Sequence, residues 1–477
     1  MQPRIAVIGG GIGGLASAYF LAQRGYRPVL LEASDRLGGL ATHFEHDGVA
    51  LDRWYHVMLD SDADLCGLLA ELGLSDRITW RQTGMGFYLG GRLYGFNTPA
   101  DVLRFRALPL ADRLRTGLGA LYVTRGVRDG LPLDDVPVGD WLRRIFGRRV
   151  FDQIWAPLLR AKFGERFHTV PAYWVWNTLT REKNGSQEVK GYLRGGYAVL
   201  AAALQDAIVR AGGEVQLRCP VMALESDGDG VWIESDGSRT RYDAAISTLP
   251  MPLLAGVARG AIAGAIPLPD LAYQGVVNAV VVARQPLERF YWTIVVDPRF
   301  PFQGVVETTH VIPTEWVGGR HLIYLMNYCD KESELYARSD ETVRRQAIEG
   351  LCALYPRFTS SSVEAVHVFR APHVEPAWTI GYLRQRPAPR VGASRLYLCT
   401  TAQAYPRVTA WNTSVALARE TVGAVHADLA ARSAGAGIEE RDRLTSLPRE
   451  RFRLGRGHGG GVPATQYRGL RTTTQHP

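Results

Sequence analysis

Three glycines near the start of the chain have the spacing that a bound pyrophosphate requires. An apolar run at 5–8 predicts a short buried strand, and Gly9, Gly11 and Gly14 follow it directly. The first glycine permits a tight turn, and the second lets a backbone approach the phosphates. The third lets the next helix pack closely against the strand, so that its N-terminal N–H groups point at the phosphates. The pattern predicts a dinucleotide-binding loop.

An acidic residue completes this pattern at the end of a second strand. The apolar run 29–31 is followed by Glu32, which lies 21 residues after Gly11. A carboxylate at this distance accepts hydrogen bonds from the ribose hydroxyls of an adenosine. We therefore expect Glu32 and the adjoining Ala33 to contact the dinucleotide, together with Gly13 in the glycine loop.

The residues after Glu32 indicate whether the predicted cofactor is FAD or NAD. The glycine loop alone fits NAD or FAD, but Arg36, Gly38 and Gly39 extend it to the pattern Glu-x-x-x-Arg-x-Gly-Gly. This extension resembles the flavin amine oxidase superfamily, which includes protoporphyrinogen oxidase, phytoene desaturase and UDP-galactopyranose mutase. The resemblance implies FAD, with the arginine and the glycine pair beside its pyrophosphate and ribityl chain. Because Cys399 does not match the position that carries covalent flavin in the monoamine oxidases, we expect the FAD to be non-covalent. A guanidinium can neutralise phosphate oxygens, and two glycines let the backbone run close to a cofactor.

The resemblance implies a second cofactor segment in the middle of the chain. Residues 191–197 contain a glycine pair and precede an Ala/Leu-rich helix, as in the family's middle FAD segment. The residue that matches Val221 would offer its backbone to the adenine. Thr248 ends a further strand on the cofactor side, which we expect over 244–248.

A third cofactor segment follows near the end of the chain. A strand at 395–399 precedes a helix that begins near Asn412 and Thr413, and the resemblance implies that the N-terminus of this helix faces the flavin. A helix dipole in that position stabilises the negative charge of a reduced flavin. The family usually has a glycine and an acid after this strand, where Thr400 and Thr401 stand here.

Several polar residues are candidates to line the substrate site, although each alone could be structural. Tyr55 and His56 follow the second glycine loop, and His56 is the best acid/base candidate because its ordinary pKa lies near neutral. The alternative is that no side-chain base acts and positioning of the substrate suffices. The remaining candidates for substrate contact are Arg160, Lys162, Tyr291, His310 and Tyr328.

These elements predict a fold that combines α/β and α+β architecture. A discontinuous Rossmann-like domain would bind FAD, and a second domain of mixed sheet and helices would bind substrate. The predicted FAD-binding segments are 1–95, 191–250 and 386–430, the substrate-binding segments are 96–190 and 251–385, and 431–477 is a disordered basic tail.

The segment 96–190 is rich in aromatic residues at helix-like intervals. Trp141, Phe146, Phe151 and Phe163 are examples. Their pattern favours packing between the helices of a cap, while a substrate tunnel or a membrane-surface patch are the alternatives. Strands expected at 275–282 and 321–328 could form a sheet at the flavin face.

Composition and charge exclude several classes of function. Of the formal charge of +8, the tail from Arg432 to Pro477 supplies +5, with nine arginines and four acidic residues. The remaining charge is too small to predict a nucleic-acid partner. The sequence has no run of about 18 consecutive apolar residues, so no transmembrane span is predicted.

The cysteines and the start of the chain predict a cytoplasmic protein. The five cysteines are scattered without a Cys-x-x-Cys pair, so that neither a disulfide framework nor a zinc site is expected, and we predict no metal. Residues 1–4 lack the features of a signal peptide.

We therefore expect an FAD-dependent oxidoreductase, a dehydrogenase or oxidase that takes a hydride from a small-molecule C–H bond next to C–N, C–O or C–C. One alternative is a redox-neutral flavoenzyme that acts on a sugar or nucleotide-sugar, like UDP-galactopyranose mutase. A non-catalytic FAD-binding protein is the other.

Overall fold

Buried runs of aliphatic residues form the centre of the computed structural model, which describes residues 2–181 and 189–445 and the side chains of 2–180 and 189–432. Among the described residues, those up to His426 form one compact unit and those from Ala427 onward belong to a second. The helix Trp411–Thr445 continues through 431–445, which the sequence assigned to a disordered tail. Alanines and alternating charges favour helix there. The rest of the predicted tail, 446–477, lies outside the described residues.

A five-stranded parallel sheet, which we call the parallel sheet, joins three distant parts of the chain. All four strand pairs are parallel, and the strands are largely buried. Parallel strands covered on both faces require this nearly continuous apolar sequence. In spatial order the strands are Glu214–Gln216, Arg27–Leu31, Arg4–Ile8, Ala244–Ser247 and Leu396–Leu398. The helices Ile12–Gln23 and Ala198–Arg210 pack together beside it.

A second sheet has seven strands, and we call it the seven-stranded sheet. Its pairs are antiparallel except for the pair Trp292–Val295 with Met85–Leu89. In spatial order its strands are Val363–Ala377, Ala272–Ala283, His321–Cys329, Gly304–Glu307, Trp292–Val295, Met85–Leu89 and Arg92–Gly95. The last two strands come from the segment that the sequence assigned to FAD binding. Met85–Leu89 is hydrogen-bonded to Trp292–Val295, so residues 85–95 belong to the seven-stranded sheet. The first segment of the parallel sheet therefore ends before residue 85.

Three small sheets complete the strands. One is Val221–Ser226, Val231–Ser235 and Ser238–Tyr242, another is Met58–Leu59, Val189–Leu193 and Ile78–Gln82, and the third is His43–His46 with Val49–Asp52. The predicted combination of α/β and α+β architecture is confirmed.

The helices of the segment 96–190 pack around aromatic side chains. Trp141, Phe146, Phe151 and Phe163 are at most 7% exposed and belong to one core cluster, as expected for packing within a helical cap. The other α-helices are Ala63–Glu71, Pro99–Arg104, Leu110–Leu121, Val138–Phe146, Arg148–Val150, Ala156–Phe163, Ala172–Arg181, Met251–Val257, Gly260–Ala265, Glu334–Ala337 and Asp340–Leu354. Across residues 2–181 and 189–445, no helix combines the length and the apolar character that crossing a bilayer requires.

Candidate active site

The first glycine loop, residues 9–14, connects a strand of the parallel sheet to the helix Ile12–Gln23. Gly9 has φ of +100°, a conformation that side chains rarely adopt. A Cβ on Gly14 would lie 1.8 Å from the carbonyl oxygen of Gly9. No side chain caps the N-terminus of the helix, which begins after Gly11. Its first N–H groups are therefore available to a phosphate.

The second glycine loop, residues 38–39, lies directly against the first. The N–H of Gly38 donates to the carbonyl oxygen of Gly10 at 2.8 Å. Gly38 and Gly39 have φ of +118° and +58°, and a Cβ on Gly39 would lie 3.1 Å from Cα of Gly11. The tertiary structure thus brings together the two loops that the sequence assigned to one pyrophosphate. Side chains on these glycines would fill the space between them, so the loops fit FAD.

Glu32 lies at the edge of the first glycine loop. One oxygen accepts the N–H of Gly10 at 2.6 Å and the other accepts the N–H of Ser34 at 2.8 Å. Each carboxylate oxygen keeps a lone pair for a ribose hydroxyl. The chain also returns here, because the N–H of Cys219 donates to the carbonyl oxygen of Glu32, two residues before Val221.

Ala33 and Arg36 are turned toward solvent in the same loop. Ala33 is exposed. Nε of Arg36 pairs with Asp35 at 3.3 Å, and its Nη1 donates to the carbonyl oxygen of His43 at 3.3 Å. With its side chain 38% exposed, the guanidinium can still reach a phosphate.

Thr248 closes the first glycine loop from the side of the parallel sheet. Its Oγ1 donates to the carbonyl oxygen of Ile8 at 2.8 Å, and a Cβ on Gly9 would lie 2.4 Å from that Oγ1. The hydroxyl therefore positions the loop through the backbone. On the other side, Gly13 faces Cys399, whose Sγ lies 3.6 Å from the position of a Cβ. The predicted third cofactor segment thus meets the first.

The side chains of Asn412 and Thr413 bind other parts of the chain. Oδ1 of Asn412 accepts the N–H of Leu65 at 2.9 Å, and Oγ1 of Thr413 donates to the carbonyl oxygen of Val408 at 2.8 Å. Thr400, where the family pattern weakens, donates its N–H to Gln403 at 3.0 Å and begins a short turn. The helix N-terminus, rather than these side chains, remains available to a cofactor.

His56 is held between aromatic rings at the start of the long helix. Its ring stacks on Trp411 with centroids 4.1 Å apart and meets the edge of Tyr197. Nδ1 lies 3.2 Å from the carbonyl oxygen of Trp54, which can only accept, so Nδ1 carries the hydrogen and Nε2 is an acceptor. Desolvation lowers the pKa of His56 to about 4. The near-neutral pKa on which its acid/base assignment rested is therefore not retained, and the imidazole is neutral at pH 7.

Asp52 is a buried acid, absent from the sequence-predicted residues, that contacts both the small sheet containing Val189–Leu193 and the seven-stranded sheet. Its carboxylate accepts hydrogen bonds from the hydroxyl of Tyr192 and from the backbone N–H of Tyr197, the latter at 3.3 Å. Its backbone carbonyl oxygen accepts a hydrogen bond from the hydroxyl of Tyr324 at 2.7 Å. Burial raises the pKa of Asp52 to about 6. In the sequence it only follows the short apolar run 49–51, four residues before His56, which does not predict its partners.

Tyr55 faces the seven-stranded sheet and belongs to a set of four residues that we call the tyrosine group: Tyr55, Lys162, Tyr328 and Glu375. The hydroxyls of Tyr55 and Tyr328 lie 3.3 Å apart. Nζ of Lys162 lies 2.7 Å from Glu375 and 5.1 Å from the ring centroid of Tyr328. Burial raises the pKa of Tyr328 to about 12 and that of Tyr55 well above its ordinary value, so both are protonated at pH 7. Three sequence-predicted residues thus meet here, and Glu375 joins them.

Two other predicted substrate contacts have ionic partners elsewhere. Nε of Arg160 pairs with the exposed Glu165 at 2.7 Å. Nε2 of His310 lies 3.3 Å from Glu307, whose carboxylate also binds His321. Burial opposes ionisation of Glu307, but hydrogen bonds from the two histidines lower its pKa to about 2. Arg160 and His310 therefore each lie against a nearby carboxylate, and their contact with substrate stays a prediction.

Tyr291, the remaining predicted contact, is buried. It is 1% exposed, and Nζ of Lys190 lies 5.5 Å from its ring centroid. Its ring is thus fixed in the core beside a cation, and contact with substrate stays a prediction.

One group of potential metal ligands occurs among the described residues, at His46, Asp47 and Glu364. Arg320 pairs with both carboxylates at 2.5 Å. Arg284 also pairs with Glu364 at 2.8 Å, so two guanidiniums already balance the charge of these two carboxylates.

Known proteins resemble this chain in sequence and in fold. The family model of flavin containing amine oxidoreductases matches residues 12–410. The 15-cis-phytoene desaturase of Capsicum annuum is 27% identical over 279 residues, which cover 52% of this chain and 47% of that protein. The chain spans about half the length of the curated relatives it matches.

Solved structures share the fold over most of the chain. Reduced UDP-galactopyranose mutase has a TM-score of 0.70 at 18% identity, covering 89% of this chain and 96% of that one. Putrescine oxidase with bound putrescine has a TM-score of 0.67 at 17% identity, covering 90% and 99%.

Proposed function

Because the chain belongs to the flavin-containing amine oxidoreductase family and is an FAD-dependent oxidoreductase, we propose that it takes a hydride from a small-molecule C–H bond next to C–N, C–O or C–C. We further propose that the segments of the parallel sheet form the FAD-binding domain and that the seven-stranded sheet and helical cap bind the substrate. When bound, FAD would accept the hydride.

The dipeptide Tyr55-His56 carries this proposal, because it connects the two sides of the site. His56 stacks on Trp411 at the start of the helix whose N-terminus is predicted to face the flavin. Tyr55, the adjacent residue, reaches Tyr328 of the seven-stranded sheet. A substrate held at the tyrosine group would therefore lie next to the residues assigned to the cofactor.

The charge states in the site favour hydride transfer over removal of a proton by a side chain. At pH 7 His56 is a neutral and weak base, and Tyr55 and Tyr328 are neutral donors. Efficient general bases have a pKa near the working pH, which none of these three groups has. We propose that Tyr55 contacts the substrate, that Lys162 and Glu375 orient its polar group, and that neutral His56 accepts a hydrogen bond through Nε2.

The test is to mix the purified yellow protein with pools of amines, alcohols and unsaturated compounds without oxygen. Loss of the oxidised flavin absorbance with one pool, and an oxidised product from it, would support the proposal. If no pool changes the absorbance while dithionite does, the substrate is not of these classes and hydride removal is contradicted for them.

A redox-neutral reaction on a sugar is the second candidate, favoured by the fold likeness to UDP-galactopyranose mutase and by the hydroxyl-rich tyrosine group. Hydroxyl and ammonium donors suit the hydroxyls and phosphates of a nucleotide-sugar. Turnover that requires prior dithionite reduction, with a product at the oxidation state of the substrate, would establish this candidate and exclude net oxidation.

A further inference from the structure

The helix Leu110–Leu121 exposes an apolar face on the helical cap. Leu110, Leu114, Leu118, Leu121 and Tyr122 are each between 48 and 69% exposed, and we call them the leucine face. Spacings of four, four, three and one residues place them on one side of the helix. Large side chains of this kind usually face a core, and contiguous exposed ones mark an interaction surface.

The opposite side of the helix is the one that packs on the protein. Thr116 and Gly119 are buried, and a Cβ on Gly119 would lie 2.8 Å from the ring of Phe146. The contact with the cap therefore uses small residues, and the larger apolar residues point outward. None of the described residues covers the leucine face.

Arginines lie around this face. Residues 103–128 contain six arginines and one acidic residue, Asp112. Arg104 and Arg106 precede the helix, Arg125 and Arg128 follow it, and all four are exposed. None of the four has an ion pair with a carboxylate among the described residues. Their charges are therefore available at both ends of the leucine face.

The other arginines of this segment lie on the flanks of the helix. The guanidinium of Arg115 donates to the carbonyl oxygens of Ile145 and Arg144, both at 2.9 Å. These acceptors are uncharged, so they do not offset the positive charge of the arginine. Arg113 donates to the carbonyl oxygen of Leu103. At about 100° per residue, these two arginines lie on either side of the leucine face. The charge thus forms a rim around an apolar centre about 18 Å long.

We propose that the leucine face lies in the surface of a membrane that contains anionic lipid, with the apolar side chains among the acyl chains and the arginines at the headgroups. This arrangement is that of an interfacial amphipathic helix, in which apolar burial and electrostatic attraction add. It needs no helix that spans the bilayer, in agreement with the described helices.

Charge disfavours the two other occupants that this chain could supply. A second copy placed symmetrically on the leucine face would bring two sets of arginines together, which is repulsive. Residues 446–477 carry six arginines and one acidic residue, so they would meet the same repulsion. A surface of phosphate headgroups complements the rim.

The test is sedimentation of the purified full-length, FAD-loaded protein with phosphatidylcholine vesicles, with and without phosphatidylglycerol. We expect binding at least about tenfold tighter with the anionic lipid and weakened by salt. Leu114→Asp with Leu118→Asp should reduce it by about tenfold or more, because two carboxylates would enter the apolar boundary. Arg125→Gln with Arg128→Gln should reduce it by about 25-fold, about fivefold for each arginine.

A matched control changes two leucines of similar exposure elsewhere, Leu253→Asp with Leu268→Asp, which are 46 and 62% exposed. This control should bind like the unchanged protein, and all variants should keep their FAD. Equal binding to both vesicles, or equal loss of binding in the control, would overturn the proposal. So would a lipid-free dimer that the Leu114/Leu118 variant dissociates, because a second copy would then cover the face.

Discussion

The glycine loops at 9–14 and 38–39 are formed by backbone, whereas the tyrosine group consists of side chains from four separate segments. In the loops, the spacing of a few glycines determines how closely two backbones approach, as at Gly39 and Gly11. In the tyrosine group, Tyr55 and Tyr328 are separated by 273 positions in the chain. Variants of the loops should therefore change cofactor retention, and variants of the tyrosine group should change turnover.

The largest effect is expected for Gly14→Ala. Its Cβ would lie 1.8 Å from the carbonyl oxygen of Gly9. Neither atom can rotate away as the end of a flexible side chain could, so the backbone of the loop must move. We expect almost complete loss of bound FAD, or failure to fold, measured by flavin absorbance after desalting. The matched control is Gly423→Ala, also in a helix but with open space around the Cβ, which should be neutral or stabilising by about 0.5 to 1 kcal/mol. Full retention of FAD in Gly14→Ala would contradict the role of the loop.

Lys162→Met tests whether the tyrosine group acts in turnover and not in FAD retention. It leaves Glu375, with its side chain 12% exposed, without its cation, which should cost about 3 kcal/mol of unfolding free energy. Turnover should fall by about 100-fold through misplaced substrate while FAD is retained. Lys162→Met with Glu375→Leu should recover the stability but not the turnover. Recovery of both would show that the pair is only structural.

Asp52 lies three residues before Tyr55 of the tyrosine group, and its protonation should be visible in stability. Its pKa is about 6 in the folded protein and 3.8 in its ordinary state. The folded state therefore binds more protons between pH 4 and pH 6, so this residue lowers the unfolding free energy as pH rises through that window, by about 3 kcal/mol in total. Denaturant titrations should show that Asp52→Asn lacks this part of the pH dependence. Parallel pH profiles for the two proteins would contradict it.

His56→Ala should have the smallest effect. The loss of the stack on Trp411 should lower turnover by about tenfold through poorer positioning, with FAD retained. Because the pKa of His56 is about 4, kcat/KM should show no limb near pH 6.5 that depends on this residue. Such a limb, present in the unchanged protein and absent in His56→Gln, would restore the acid/base role.

The same contrast explains which sites the sequence could predict. Gly9, Gly14 and Glu32 are readable because local spacing along one strand, turn and helix sets their geometry. Asp52 and Glu375 are not readable, because their surroundings come from Tyr192, Tyr324 and Lys162 on other elements. A pKa has the same limit, since the lowered value at His56 comes from burial that no local pattern encodes.

By itself, the sequence determined the parallel sheet, the family, the FAD cofactor and the residues of the glycine loops, because these depend on short-range periodicity and backbone freedom. Only the tertiary structure decided that Tyr55 meets Tyr328, that Lys162 meets Glu375, and that His56 is neutral. Contacts between residues far apart in the chain form only on folding. The same folding buries these side chains away from water, and this burial changes their pKa values.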